Sequence, residues 1–331
     1  MKKKTGSSLS RKRVLITGGL GFIGSSLARR LVDLDNEVIL LDSLLPDGGG
    51  NLFNISGIEN RVQIHRETMK NEEMVRKLVK DVEIVFNLAG QTSHLGSMQD
   101  SKADFEANTF NQLGFLQICR ELNPKIKIIF TSTRQVYGHP HYLPVDELHP
   151  VSPVDYNGIS KLAGELYHTV CGRIYGLHTT CLRLTNCYGP RMRVKDAKQS
   201  FIGWWLRQAI EGKKIPVFGN GNQIRDFNHV DDVVDALILC ADNPSARGQT
   251  YNLGGESVAL KDLAQLIVDV AGSGSWELVT FPPERKKIDI GDYQGDYKKI
   301  RESLGWQPRV SLSTGILETL DFLRLHQGEY W

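Results

Sequence analysis

The stretch SPVDYNGISKLAGE, residues 152–165, carries a tyrosine, Tyr156, and a lysine, Lys161. A phenol near a lysine ammonium can take the proton of an alcohol, because the cation lowers its pKa from ~10 toward neutrality. That chemistry needs both groups on one face of the chain. In a helix, positions i and i+4 share a face, whereas i+5 is turned by about 140°. Asn157, not Tyr156, therefore shares the face of Lys161. An asparagine positions a hydroxyl but cannot accept its proton. Two arrangements remain open. In the one that helix geometry favours, Asn157 fills the slot and the proton goes elsewhere. The candidate acceptors are then Tyr156 reaching over, His94, Cys187 beside Asn186, or a water relay, and of these side chains an imidazole is the best matched to neutral pH. In the other arrangement, a one-residue slip at the helix start returns Tyr156 to the slot.

A second constellation precedes this one. TGGLGFIG places Gly18, Gly21 and Gly24 between an apolar run and a helical pattern that opens with Phe22 and Ile23. Gly18 suits a tight turn, Gly21 lets backbone approach a pyrophosphate, and Gly24 allows close helix–strand packing, with the helix N-terminus facing the anion. Eighteen positions after Gly24, Asp42 closes the next apolar run. A carboxylate there accepts hydrogen bonds from ribose hydroxyls and repels a 2′-phosphate. The cofactor expected is NAD rather than NADP.

The elements that must hold these residues alternate. Val14–Thr17, Glu37–Asp42, Val62–His65, Glu83–Gly90, Ile126–Thr133 and His178–Asn186 are β-branched, apolar runs, as buried parallel strands should be. Helical segments at Glu72–Lys80, Asp104–Leu122 and Asn157–Tyr175 separate them. The fold class expected is α/β, a Rossmann-type doubly wound parallel sheet with a smaller C-terminal substrate-binding lobe. Residues 12–185 read as the NAD-binding domain, with 228–273 packing back on it through helices at Val230–Ala241 and Leu260–Ala271. Residues 186–227 and 274–331 read as the lobe, with Lys213–Pro216 and Ser275–Asp292 irregular, and residues 1–11 as a disordered tail.

The spacing GxxGxxG, with the ordered series NLAGQ, DFEANT, STRQVYG, GISKLAGE, RLTNCYGPR, VFGNGNQIRDFNHVDD and YNLGG, resembles the extended short-chain dehydrogenase/reductases, in their NAD-dependent nucleotide-sugar epimerase/dehydratase family. The likeness spans residues 13–325. Within it, LAGQ, DFEANT, STRQVYG and FIGWW are most similar to the CDP-tyvelose (CDP-paratose) 2-epimerase type. The resemblance implies roles residue by residue. Leu88, Ala89 and Gly90 form the turn beside the nicotinamide ribose, supported by Asn108, and Lys161 binds that ribose. Thr133 is the catalytic hydroxyl. Asn186 contacts the substrate, a nucleoside diphosphate hexose (CDP-, UDP- or GDP-linked), and Arg225 its diphosphate. By residue type and place, Gln91, His94, Arg134 and Arg285 are read as further substrate-binding residues, Arg134 for an anionic group and Arg285 for the diphosphate. Trp204 and Trp205 read more readily as core than as base-stacking residues. The family's tyrosine is the residue replaced here by Asn157. Where its dehydratases carry Asp and Glu after the threonine, this chain has Arg134 and Gln135, neither of which transfers a proton readily. The implied reaction is 2- or 4-epimerisation through transient oxidation to a ketone and re-reduction. The alternatives are a nucleotide-sugar oxidoreductase or atypical dehydratase with a non-tyrosine base, and a non-catalytic NAD-binding regulatory protein. The resemblance also implies a homodimer built on the helices of Asp104–Leu122 and Asn157–Tyr175.

Composition restricts the partners. With 331 residues, 40% hydrophobic and 24% charged, the chain suits a globular protein, and a formal net charge of +2 argues against a polyanionic partner. No nucleic acid and no membrane are expected, since no apolar run approaches the ~20 residues of a span and the basic N-terminus lacks a signal peptide's apolar stretch. Five scattered cysteines without a C-x-x-C spacing fit a reducing cytoplasm and neither a disulfide framework nor a metal site.

Overall fold

The computed structural model describes residues 9–45, 48–197 and 199–331. The apolar runs form β1 (Arg13–Thr17), β2 (Glu37–Leu41), β3 (Val62–His65), β4 (Ile84–Asn87), β5 (Lys127–Thr133) and β6 (His178–Leu184). Beyond them come β7 (Asn186–Tyr188), β8 (Lys214–Phe218), β9 (Ile224–His229), β10 (Thr250–Asn252), β11 (Glu256–Ala259) and β12 (Ser275–Val279). Seven strands make one sheet in the order β10-β6-β5-β4-β1-β2-β3, parallel throughout. Successive side chains leave opposite faces of a strand, which explains the two cores. Leu15, Ile39, Val85 and Ile128 pack with Val75, Leu116 and Cys119 on one face, and Val14, Ile16, Leu40, Phe86 and Ile129 pack with Leu27, Leu31, Val233 and Leu237 on the other. A parallel sheet covered on both faces needs this continuous apolar character.

Strand order reverses between β1 and β4. In such sheets ligands bind beyond the strand C-termini at this switch point, and it is there that the glycine turn and residues 88–90 emerge.

The lobe has its own core, where Ile202, Trp205 and Leu206 meet Leu263, Ile267, Ile316 and Leu320. Helix Leu260–Ala271 belongs here, packed against helices Phe201–Ile210 and Leu312–Leu325, and not against the main sheet as expected. Its apolar stripe is clear, but a stripe does not name its partner. Helix Val230–Asp242 does pack on the main sheet, beside helix Phe22–Asp33. Conversely, Ile300, Leu304 and Trp306, from the expected lobe, pack in the main core. The two segments read as irregular hold strands β8 and β12, which pair in parallel, and β11, β9 and β7 form a separate three-stranded sheet. Of the expected tail, residues 1–8 lie outside the described residues, while Leu9 is buried in the main core. No helix among the described residues is long and apolar enough to cross a membrane.

Candidate active site

The glycine turn is held by contacts a side chain would block. Gly18 has φ +69°, in the left-handed region, and a Cβ on Gly24 would overlap the Gly18 carbonyl. Helix Phe22–Asp33 starts at Gly21 without a side-chain cap, which leaves its first N–H groups for an anion. Asp42 stands beside this turn. Its Oδ2 accepts from Leu20 N at 3.0 Å and its Oδ1 from Leu44 N at 2.9 Å. Each oxygen keeps lone-pair capacity for a ribose hydroxyl.

Thr17 Oγ1 fixes the adjoining turn by accepting from Leu88 N and Ala89 N, both at 3.1 Å. Gly90 then leaves room for two polar groups: a Cβ there would lie 2.8 Å from Lys161 Nζ and 2.5 Å from Asn108 Oδ1. Asn108 sits in a π-helical turn, Glu106–Phe110, that interrupts the helix expected over 104–122. Its Nδ2 donates to Gln91 O and Asp104 Oδ1, both at 3.0 Å, while its buried Oδ1 has no partner. The bare glycine turn, the strand-end carboxylate and this open acceptor together fit a dinucleotide.

Helix Tyr156–Tyr175 is regular from its first residue. Asp155 caps it, Oδ1 accepting from Gly158 N at 2.6 Å, so the slip that would bring Tyr156 inward does not occur. Asn157 is 2% exposed, and its Nδ2 donates to Gln91 O and Asp104 Oδ1, both at 2.9 Å. Tyr156 is 46% exposed. On the Asn157 face, Lys161 donates from Nζ to Thr131 O at 3.3 Å and lies 5.3 Å from the Phe130 ring centre. Burial lowers its pKa to about 8, partly opposed by Asp104. Thr133 Oγ1 accepts from Gln135 N at 3.2 Å and keeps its own hydrogen for a reacting oxygen. Cys187 cannot serve as a base near neutrality, since burial, with Asp226 adding to it, pushes its thiol up to about 12.

The residues expected on the substrate side form a linked set. Arg134 Nη2 donates to Asn186 Oδ1 at 3.1 Å and its guanidinium lies 5.3 Å from the Tyr293 ring centre. Asn186 Nδ2 in turn donates to Asp226 O at 2.9 Å. Arg225 is buried and committed to the protein: Nη2 meets Asp289 Oδ1 at 2.7 Å, and Nη1 meets Ile224 O and Gly291 O. Burial, and next the charge of Arg134, lower it to about 10. Arg285 is turned to the Phe218 ring, 5.7 Å away. Trp205 is 4% exposed in the lobe core and Trp204 packs against that core. Gln91 and His94 flank the turn after β4, Gln91 Oε1 lying 3.3 Å from Asn157 Nδ2.

Four carboxylates that sequence reasoning passed over organise these groups: Asp104, Asp155, Asp226 and Asp289. Only Asp155 carries a local signal, an Asp three residues before Gly158 at a helix start. Asp226 is fully buried, with Oδ2 accepting from Gly295 N at 3.0 Å and Oδ1 unpartnered. Burial raises its pKa from 3.8 to about 7, with Arg134 the largest opposing influence. Between those values the folded chain holds a proton that the unfolded chain has lost, so this group's contribution to stability falls as pH rises. Asp226→Asn is expected to match the parent's urea midpoint below about pH 4 and exceed it above about pH 7. A midpoint difference that does not change with pH would refute this.

The profile of the NAD dependent epimerase/dehydratase family matches residues 14–254. The chain is 32% identical over 314 residues to a putative UDP-glucose 4-epimerase of Methanocaldococcus jannaschii, covering 94% of this chain and 98% of that protein. It is 30% identical over 337 residues to CDP-paratose 2-epimerase of Salmonella typhi, again covering 94% and 98%. Its structure is similar to UDP-glucose 4-epimerase of Thermotoga maritima crystallised with UDP-glucose, with TM-score 0.87 at 30% identity, covering 95% and 99% of the two chains. A dTDP-glucose 4,6-dehydratase of Streptomyces venezuelae solved with NAD has TM-score 0.87 at 26% identity, covering 96% of this chain and 98% of that one. With its parallel Rossmann sheet and its glycine turn, the chain belongs to the NAD-dependent nucleotide-sugar epimerase/dehydratase family.

Proposed function

We propose that this protein epimerises a nucleoside diphosphate hexose, at C2 or C4, by oxidising a sugar hydroxyl to a ketone and reducing it again. The observation that carries the reading is the arrangement after Thr133. Lys161 and Thr133 are retained, whereas the two following side chains, Arg134 and Gln135, are engaged by Asn186 and Asp155 and offer no acid or base for expelling water. Bound NAD supplies the acceptor and donor of hydride. Lys161 places a positive charge beside Gly90, where it holds the ribose and favours developing negative charge on the substrate oxygen. Thr133 directs its hydroxyl hydrogen at that oxygen. Arg134 and Asn186 hold the sugar, and Arg225 reaches the diphosphate by exchanging its bond to Asp289. The relatives that act on UDP-glucose and CDP-paratose support UDP- and CDP-hexoses as first substrates, with GDP-hexoses as the third class.

The homodimer belongs to the same reading. Phe105, Phe110, Ile159, Leu166, Val170 and Ile174 are each at least 40% exposed on the helices 101–122 and 156–175, an apolar face of the kind that a second copy covers. The test is incubation of NAD-loaded protein with CDP-, UDP-, GDP- and dTDP-hexoses in D₂O. Deuterium beside the transient ketone indicates inversion of a neighbouring carbon through its acidified C–H, inversion without deuterium indicates oxidation and re-reduction at the inverted carbon itself, and the product's proton couplings tell C2 from C4. Failure to turn over any nucleotide sugar removes the proposal, and sedimentation of the same preparation at the mass of one chain removes the dimer.

A further inference from the structure

The family's tyrosine is missing, and the groups around Lys161 do not replace it. Both N–H bonds of the Asn157 amide go to Gln91 O and Asp104 Oδ1. Asp104 has an unpartnered Oδ2, but the residue is fully buried behind Asn157 and Asn108. Cys187 is held protonated. Tyr156 stands half exposed at the first turn of its helix, off the Lys161 face.

His94 is placed differently. The turn that leaves β4 past Gly90 ends at Ser93, whose Oγ caps helix His94–Gln99 by accepting from Gly96 N at 3.0 Å. That helix packs on helix Tyr156–Tyr175 and on Ser101–Phe105, which carry Lys161 and Asp104. Ser97 Oγ accepts from Asn157 N at 3.2 Å, so the helix lies directly over the Asn157 slot. His94 Nδ1 lies 2.9 Å from Asp155 Oδ2. The ring N–H is not aligned on that oxygen, so the contact is a close approach of the kind that tightens to a hydrogen bond in a substrate complex. The Asp155 side chain is fully buried and fixed by Gly158 N at 2.6 Å and Gln135 Nε2 at 2.9 Å. Gln135 itself follows Thr133 and Arg134, so one carboxylate ties the histidine to the strand end that carries the catalytic hydroxyl. The His94 side chain is 38% exposed while Nδ1 is buried, so the exposure falls on the remainder of the ring. Burial pushes Asp155 up, but His94 and its hydrogen-bond donors outweigh that and keep it below its ordinary value, hence ionised.

We propose that His94, oriented at Nδ1 by Asp155, accepts the substrate's hydroxyl proton at Nε2 in place of the absent tyrosine. The step rests on the sugar-oxidation reading above. The substrate O–H breaks with its proton passing to His94 Nε2. The carbinol C–H hydrogen leaves with its electron pair to NAD⁺, and the carbon becomes a ketone. Re-reduction returns the hydride and the same proton. Asp155 is a positioning residue, which sets the Nδ1–H tautomer and the ring's orientation.

The test uses the NAD-loaded protein and whichever nucleotide sugar the D₂O incubation shows to be turned over. His94→Gln is expected to lower kcat about 10²–10⁴-fold, with NAD content, and with sugar affinity by calorimetry, close to the parent's. Added imidazole is expected to raise the rate of His94→Ala. Asp155→Asn keeps a capping side chain and is expected to lower kcat while helix content is preserved. Independently of turnover, ¹⁵N spectra of the histidine rings are expected to show His94 with its hydrogen on Nδ1, and Asp155→Asn to lose that preference. His94→Gln within twofold of the parent overturns the assignment, as does a His94→Ala loss that imidazole does not relieve, or a hydrogen on Nε2. Tyr156→Phe falling as far as His94→Gln gives the proton to the phenol and overturns it as well. A parent protein inactive on every sugar removes the oxidation reading, whereas an active parent matched by His94→Gln removes only the histidine step.

Discussion

Lys161→Met is expected to reduce turnover by about 10²–10³-fold while leaving the protein as stable as the parent or more so. The two effects separate because the ammonium is nearly buried, at 6% exposure, with a single 3.3 Å bond to Thr131 O and an aromatic ring below it. A charge in such a place costs stability unless it is well paired. Methionine keeps most of the aliphatic stem against Phe130 and removes the charge. Burial lowers the lysine to about 8 from its ordinary 10.5. Between those values the unfolded chain retains a proton that the folded chain has shed, so the parent gains stability as pH rises through the window. The advantage of the methionine variant is therefore largest below pH 8 and narrows toward pH 10.5. Urea midpoints across that range, with turnover measured on the same preparations, check both parts. A variant that unfolds earlier yet turns over normally would make Lys161 a structural residue.

The largest stability effect is expected four residues further along the same helix. Glu165 is 2% exposed and takes Arg183 in a forked pair, Nε at 3.0 Å and Nη2 at 2.5 Å. Arg183 Nη1 donates to Tyr137 Oη at 2.6 Å, and Tyr137 donates to Asn252 Oδ1 at 2.6 Å. Burial alone would lower the arginine, but Glu165 reverses the sign and raises it. Glu165→Ala leaves that guanidinium buried without its carboxylate, and removing one partner of such a pair costs about 3–5 kcal/mol. Replacing both residues, as Glu165→Leu with Arg183→Met, is expected to recover most of the loss, since an apolar pair of similar volume needs no solvation. Denaturant unfolding of the single and double variants decides. A double variant as weak as the single one would show that the tyrosine and asparagine, not the ion pair, carry the energy.

How much of this was legible in the sequence depends on whether a signal is local. Val14–Thr17 announced itself because a strand buried on both faces needs an uninterrupted apolar run. The glycine turn at Gly18 and Gly24 could be read because both requirements act within one short segment. The phase argument at Asn157 needed only the geometry of one helix, and the structure puts that side chain inside and Tyr156 outside. Pairings across the chain left no such trace. His94 and Asp155 are 61 positions apart, and Arg225 meets Asp289 across 64. Nothing in the residues near either partner names the other. Helix Leu260–Ala271 fails for the same reason, because its apolar stripe fits either core. The strands β8 and β12 were missed because each is half solvated, and Glu277 and Lys214 spoil the apolar pattern while pairing with one another at 2.8 Å.

The edge strand β10 carries a different lesson. It contributes only Thr250–Asn252, yet it closes the main sheet against β6, and Ile300, Leu304 and Trp306 lock the chain behind it into the main core. Between β6 and β10 the backbone has already left to build much of the lobe and come back. The two halves of the molecule are thus threaded through one another, and no single cut yields two self-sufficient fragments. A piece ending at residue 185 would expose a bare parallel edge and lose the Asn252 end of the Arg183–Tyr137 chain. The candidate site, with Lys161 on a helix of the main sheet and Arg225 on β9, is accordingly a product of one cooperative folding unit, and a transplant of the sheet-bearing half has to carry residues 228–253 and 296–306 with it.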